Sequence, residues 1–201
     1  MARFVQGIWL RGLAALAVGA LAGCGGGGGG AEAEFDPGSV EIAESNSTLP
    51  LGERAFVEYD GLGAENEPSV KTTLGVTVLE INEGDPSDID DFPENTSPHY
   101  VVFELENHGD GAINVGAGPR GRITVRGSDG EVYETVGLVT ISGEFDLCDR
   151  ADTQATLAEE EAIMDCAIVA ISDDVSPEVV LFEGDYADQK EPIGWTVADE
   201  G

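Results

Sequence analysis

The sequence predicts an all-β fold, an antiparallel sandwich of short strands, set behind an export signal and a flexible glycine-rich tether. Three observations predict it. Apolar and polar residues alternate with period two in several short runs, turn residues separate those runs, and helical periodicity is almost absent.

Residues 1–23 carry Arg3 and Arg11, then an apolar run from Leu13 to Leu21 that ends in Ala22 and Gly23. This is the layout of a secretory signal peptide. A spanning helix needs roughly 20 uninterrupted apolar residues, and this run is shorter and collapses into glycine. The tetrad Leu21-Ala22-Gly23-Cys24 resembles the lipobox of prokaryotic lipoproteins. That resemblance implies cleavage before Cys24 and lipid on its sulfur, with anchoring at the outer face of the cell membrane; the alternative is a plain signal whose cleavage leaves a free thiol. A diacylglycerol supplies two chains where one would hold only marginally.

Residues 24–50 read as tether and stalk. Gly25 to Gly30 bury no side chain and behave as flexible coil, and Ala31 to Leu49 continue polar and acidic. A phosphate-cradling use of the glycines would need a preceding strand, a following helix and usually a lysine, none of which is present.

Residues 51–201 are assigned to one folded domain, long enough to enclose a core. The whole chain has formal charge −31; without residues 1–23 it keeps seven basic against 40 acidic residues, or −33. Nucleic acid is excluded as a partner by this sign, and anionic lipid headgroups repel the same surface. The acids are interleaved with β-branched runs, which argues against an acidic disordered chain. They suit a solvated surface in a secreted or high-salt setting, a reading supported by only two lysines, Lys71 and Lys190.

The strands follow in order. Ala55 to Tyr59 and Val76 to Ile81 open the domain. Tyr100 to Glu106 places Val101, Phe103 and Leu105 on one face and Val102, Glu104 and Glu106 on the other. Gly121 to Arg126 turns Ile123 and Val125 inward and Arg122, Thr124 and Arg126 outward. Asp129-Gly130 is a hairpin turn into Glu131 to Thr135. Leu138 to Ile141, Cys166 to Ile171, Val179 to Phe182 and Trp195 to Val197 complete about nine strands, with a brief helical periodicity over Thr156 to Met164. Once Cys24 is set aside, Cys148 and Cys166 are left, an even pair best read as a disulfide in an exported protein.

Three segments carry a resemblance to a known family. The run YVVFELENHGDGAINV, the hairpin GSDGEVYET and the stretch LAEEEAIMDCAIVAI are similar to the telokin-like, immunoglobulin-type domains related to the mycobacterial immunoprotective extracellular protein. The similarity covers roughly Leu51 to Val197. It implies an immunoglobulin-like extracellular sandwich without an assigned biochemical role. Glu159 and Glu160 stand where that family usually has Pro-Gly, and Ile171-Ser172 where a Val-Pro often ends the strand.

Candidate chemistry is sparse. The only histidines, His99 and His108, would point to opposite faces if they shared one strand, and no nucleophile elbow, HExxH motif or cysteine-histidine arrangement is present. His108, between Asn107 and Gly109, reads as a turn residue. No enzyme is expected. The loop EGDPSDIDDFPE, Glu83 to Glu94, offers Asp85, Asp88, Asp90 and Asp91 as hard oxygen ligands of the kind calcium takes, but lacks the EF-hand glycine and distal glutamate. A solvated, mobile loop is the competing reading. Arg120, Arg122 and Arg126 are assigned to cross-strand pairing with Glu131 and Glu134, against the alternative of an anionic partner. Asn46 and Asn95 begin acceptor sequons.

The sequence is thus expected to encode a lipid-anchored, non-catalytic binding or interaction module of the cell envelope, taking no cofactor, with an unidentified envelope or extracellular protein as partner. The alternative is a calcium-dependent structural or adhesive protein.

Overall fold

The computed structural model describes residues 40–61, 63, 70–115, 118–136, 148, 155–184 and 191–198. All of them belong to the second of the chain's two units, Asp36–Gly201. The signal segment, Cys24, the glycine tether and the predicted strand Leu138 to Ile141 lie outside the described residues.

The elements are strands β1 (Thr48–Pro50), β2 (Arg54–Gly61), β3 (Val70–Glu83), β4 (Thr96–Asn107), β5 (Ile113–Asn114), β6 (Ile123–Gly127), β7 (Val132–Glu134), β8 (Thr156–Leu157), β9 (Ala162–Ser172), β10 (Pro177–Phe182) and β11 (Ile193–Thr196). Single 3₁₀ turns occupy Pro86–Asp88 and Pro119–Arg122. One sheet has the order β1-β11-β10-β6-β7 and the other β2-β3-β4-β9, while β5 and β8 form a small pair. Pairing within the sheets is antiparallel except for β1 beside β11. The fold is an antiparallel β-sandwich, as the alternation predicts.

The core fills the space between the sheets. Val57, Leu74, Val76, Val78, Val101, Phe103 and Leu105 face Ile123, Val125, Val180, Phe182, Ile193 and Trp195. Each such side chain stabilises the fold by about 1.5–3 kcal/mol relative to exposure. Trp195 is fully buried, and its indole Nε1 donates to the Glu53 carbonyl at 2.7 Å, so its one polar atom is satisfied.

Both flanks of the sandwich are latched. On one side Thr135 bridges to Val169, and the Val136 amide donates to the Ile168 carbonyl at 2.8 Å, tying the end of β7 to β9. On the other the Ala43 amide donates to the Phe56 carbonyl at 2.8 Å before the chain crosses to pair β1 with β11. The sandwich therefore starts ahead of the predicted boundary at Leu51: the end of the expected stalk is a structural strand. A three-residue strand carries too little pattern to be seen in the sequence.

Two local expectations change. Thr156 to Met164 contains no helix; β8, a turn and the start of β9 occupy it, with Glu160 at φ +59° where the chain reverses. Thr124 keeps its parity opposite Ile123 and Val125 but is buried there, level with Leu181 of β10 and Glu134 of β7 in the register. The Asp129-Gly130 hairpin is present, with Gly130 at φ +83°, a conformation only glycine adopts freely.

A second, smaller core lies on the outer face of β4 and β9. Tyr100, Ile168 and the Cys148–Cys166 disulfide (Cα–Cα 5.4 Å) pack with Ile89, and Phe92 and Val102 lie against them. Gly84 lies so close to the Tyr100 ring that a Cβ there would sit 2.2 Å from a ring carbon. The acidic loop is thereby fastened to the sheet.

Candidate functional site

At one end of the sandwich β3, β4 and the β9–β10 turn converge on an open cleft of about 220 Å³. Its lining is Glu83, Ser97, His99 and the run Ser172–Pro177, which includes Asp173 and Asp174. Register explains the convergence: Glu83 ends β3 directly opposite His99, and Ser97 on β4 faces Ile171, just before β9 breaks into its turn. The Asp173 amide donates to the Asn95 carbonyl (3.3 Å), the Val175 amide closes on the Ser172 carbonyl (2.9 Å), and the Ser97 hydroxyl donates to Asp173 Oδ1 (3.1 Å). The turn is thus tied to the start of β4.

His99 is the decisive side chain. It has the same parity along β4 as Val101, Phe103 and Leu105, so it faces between the sheets, and only 6% of its surface is exposed. Its Nδ1 lies 3.2 Å from the Ser97 carbonyl, which can only accept; Nδ1 therefore carries the proton. Burial lowers the imidazole pKa, against smaller opposing effects of the Ser97 carbonyl and the Glu83 charge. The ring is neutral at pH 7, and Nε2 is an acceptor with no hydrogen-bond partner among the described residues.

This arrangement does not assemble a nucleophile. The Ser97 hydroxyl is directed to Asp173, and no serine hydroxyl of the cleft is hydrogen-bonded to His99 among the described residues. His108 lies beyond the end of β4, so the two histidines occupy opposite ends of one strand. Its ring is buried, edge-on to Phe56 at 5.0 Å between centroids, with Nε2 3.3 Å from Glu106. It is a packed residue more than a turn residue. The turn itself is built by Asn107, whose amide donates to the Gly111 and Leu157 carbonyls and whose Oδ1 accepts from Thr72 and the Gly109 amide.

The four aspartates of the acidic loop are all exposed, and three of them have distinct local roles. Asp85 caps the 3₁₀ turn, its Oδ1 accepting from the hydroxyl and amide of Ser87, and these bonds lower its pKa. Asp85 and Asp88 lie close enough to Tyr100 to reinforce the upward shift that burial imposes on its phenol. Asp91 serves a left-handed backbone position at φ +57°. Among the described residues no three His, Cys, Asp or Glu side chains converge to hold a metal ion. The picture of a free loop is corrected as well: Ile89, 3% exposed, anchors it.

The arginines also need correcting. Arg120 does not pair at the surface with Glu131 or Glu134; it is 5% exposed and forms a forked ion pair with Asp165 of β9. The 3₁₀ turn Pro119–Arg122 carries it inward between the layers, where proximity in sequence to acids no longer decides the partner. Arg126 stands opposite Val132 in the β6–β7 register. Asn46 and Asn95 are exposed turn residues at φ +62° each, a conformation asparagine tolerates well.

Two solved structures resemble this fold. MPT63, a secreted protein from Mycobacterium tuberculosis, aligns over 79% of this chain and 100% of its own at 16% identity and a TM-score of 0.48. An uncharacterized β-sandwich protein from Clostridium difficile aligns over 80% of this chain and 99% of its own at 10% identity and a TM-score of 0.43. These are likenesses of shape alone. No protein-family model matches the chain, and no curated protein matches it.

Proposed function

We propose that this chain is an exported protein, held to the outer face of the cell membrane by lipid on Cys24, whose sandwich is a non-catalytic binding module. The observation that carries export is the disulfide: Cys148 is joined to Cys166 in the outer core, and such bonds persist in oxidising compartments. The lipobox-like Leu21-Ala22-Gly23-Cys24 supports the anchor. The separate occupations of Ser97 and His99 support a binding role over a hydrolytic one. The scattered aspartates of the 83–94 loop give calcium-dependent adhesion no comparable support.

The test is expression of the full chain and of Cys24→Ala in a bacterial host, with radiolabelled fatty acid. The expected result is label on the wild-type protein and its recovery with membranes, with both lost in the variant. Label or membrane recovery that is indifferent to Cys24 refutes the anchor, and a reduced Cys148–Cys166 pair in freshly isolated protein refutes export.

A further inference from the structure

We infer that the cleft between Glu83, His99 and the Asp173–Asp174 turn is a binding site for an organic cation, a single ammonium or guanidinium group. Three independent features of its lining lead there. The first is charge: Glu83, Asp173 and Asp174 line the cleft, and among the described residues its lining contains no lysine or arginine. A concavity of one sign concentrates counter-charge and focuses the field within it.

The second is the histidine. A cluster of surface carboxylates alone is commonplace in so acidic a chain, but His99 is a nearly buried polar side chain whose Nδ1 is committed to the Ser97 carbonyl. Its remaining nitrogen offers a lone pair at the cleft, where it has no partner among the described residues. The site therefore presents carboxylate oxygens, serine oxygens and an imidazole acceptor. Its complement is a group with several N–H donors and a positive charge, which describes ammonium and guanidinium.

The third is size. About 220 Å³ is below the ~300 Å³ at which pockets for drug-sized ligands begin. It accommodates the head and part of the stem of one amine or one basic side chain. A metal ion is a poorer complement, since no three potential ligands converge among the described residues.

The inference rests on the reading of the sandwich as a binding module, but the two can fail separately: loss of lipid labelling leaves the cleft unaffected, and an empty cleft leaves the anchor standing. The experiment is an NMR titration of the His99 ring nitrogens in the full chain in detergent micelles, at fixed ionic strength. The probes are n-butylammonium and n-butylguanidinium as free cations, and the Nα-acetyl amides of lysine and arginine as side chains in a peptide frame. n-Butanol is the uncharged control. A saturable shift at Nε2 is expected with the cations and none with n-butanol. Glu83→Gln and Asp174→Asn, both on the cleft rim, should each weaken binding roughly two- to fivefold, as for a partly exposed ion pair. Tighter binding of the acetyl amides identifies a protein side chain as the ligand; equal binding identifies a free amine. A shift that follows total salt, matches n-butanol or is unchanged in both variants overturns the assignment.

Discussion

Arg120 Nη2 lies 2.6 Å from Asp165 Oδ1 inside the sandwich, and Nε reaches both carboxylate oxygens at 3.1 Å. The same Oδ1 accepts the Cys166 amide at 2.8 Å, so the carboxylate has hydrogen bonds beyond its ion pair. Removing one partner leaves a charge buried without compensation. Arg120→Met or Asp165→Leu alone should each cost about 3–5 kcal/mol in urea unfolding, whereas the double variant should recover most of the loss. Additive losses in the double variant would contradict this account.

The disulfide is predicted to contribute about 3 kcal/mol, since it closes a loop with a sequence separation of 18. Cys148→Ala combined with Cys166→Ala should lower stability by that order while β4 and β9 stay paired. Amide exchange of Val101, Phe103 and Val169 is the check: retained relative protection is expected.

Ile89 is the main apolar anchor of the acidic loop on the outer face. Ile89→Ala should cost about 2 kcal/mol, at the low end for large-to-small core changes because the site borders solvent. Faster exchange should be confined to residues 84–95. A loss spread across both sheets would mean that the outer cluster is integral to the main core.

His99 makes stability depend on pH. Burial holds its folded-state pKa below the ordinary 6.5, so in the window between the two values the unfolded chain binds the proton that the native ring resists. Wild type should therefore lose stability relative to His99→Gln as pH falls from 7 through 6.5 toward the folded value. The lowered pKa values of Asp85 and Asp129 act in the same direction but only below their ordinary 3.8, outside that window. A gap between wild type and His99→Gln that is constant from pH 7 to 5 would contradict the burial effect.

The fold was legible where each strand has two unlike faces. In Tyr100 to Glu106 every second residue is apolar, and those residues form the core. Legibility failed where partners come from distant sequence. Arg120 has Glu131 and Glu134 nearby in the chain, yet its partner is 45 residues away and reached only through the stacking of two sheets. Thr156 to Met164 mimics a helical stripe because a two-residue strand, a turn and a new strand follow one another too quickly for either period to show. The cleft was missed although one signal was present: His99 shares the inward parity of Val101, Phe103 and Leu105. What parity cannot supply is Asp173 and Asp174, which arrive from another strand's end.

The flank latch also gives the domain a polarity. Ala43 is fastened to Phe56, in the row of Gly75 and Glu106, and Glu106 stands seven residues along β4 from His99, roughly 23 Å at the usual rise of a strand. Ala43 thus meets the sheet well away from the cleft. A contact made at Ala43 and one made at the mouth lined by His99 and Glu83 therefore engage separate stretches of the sheet and need not compete.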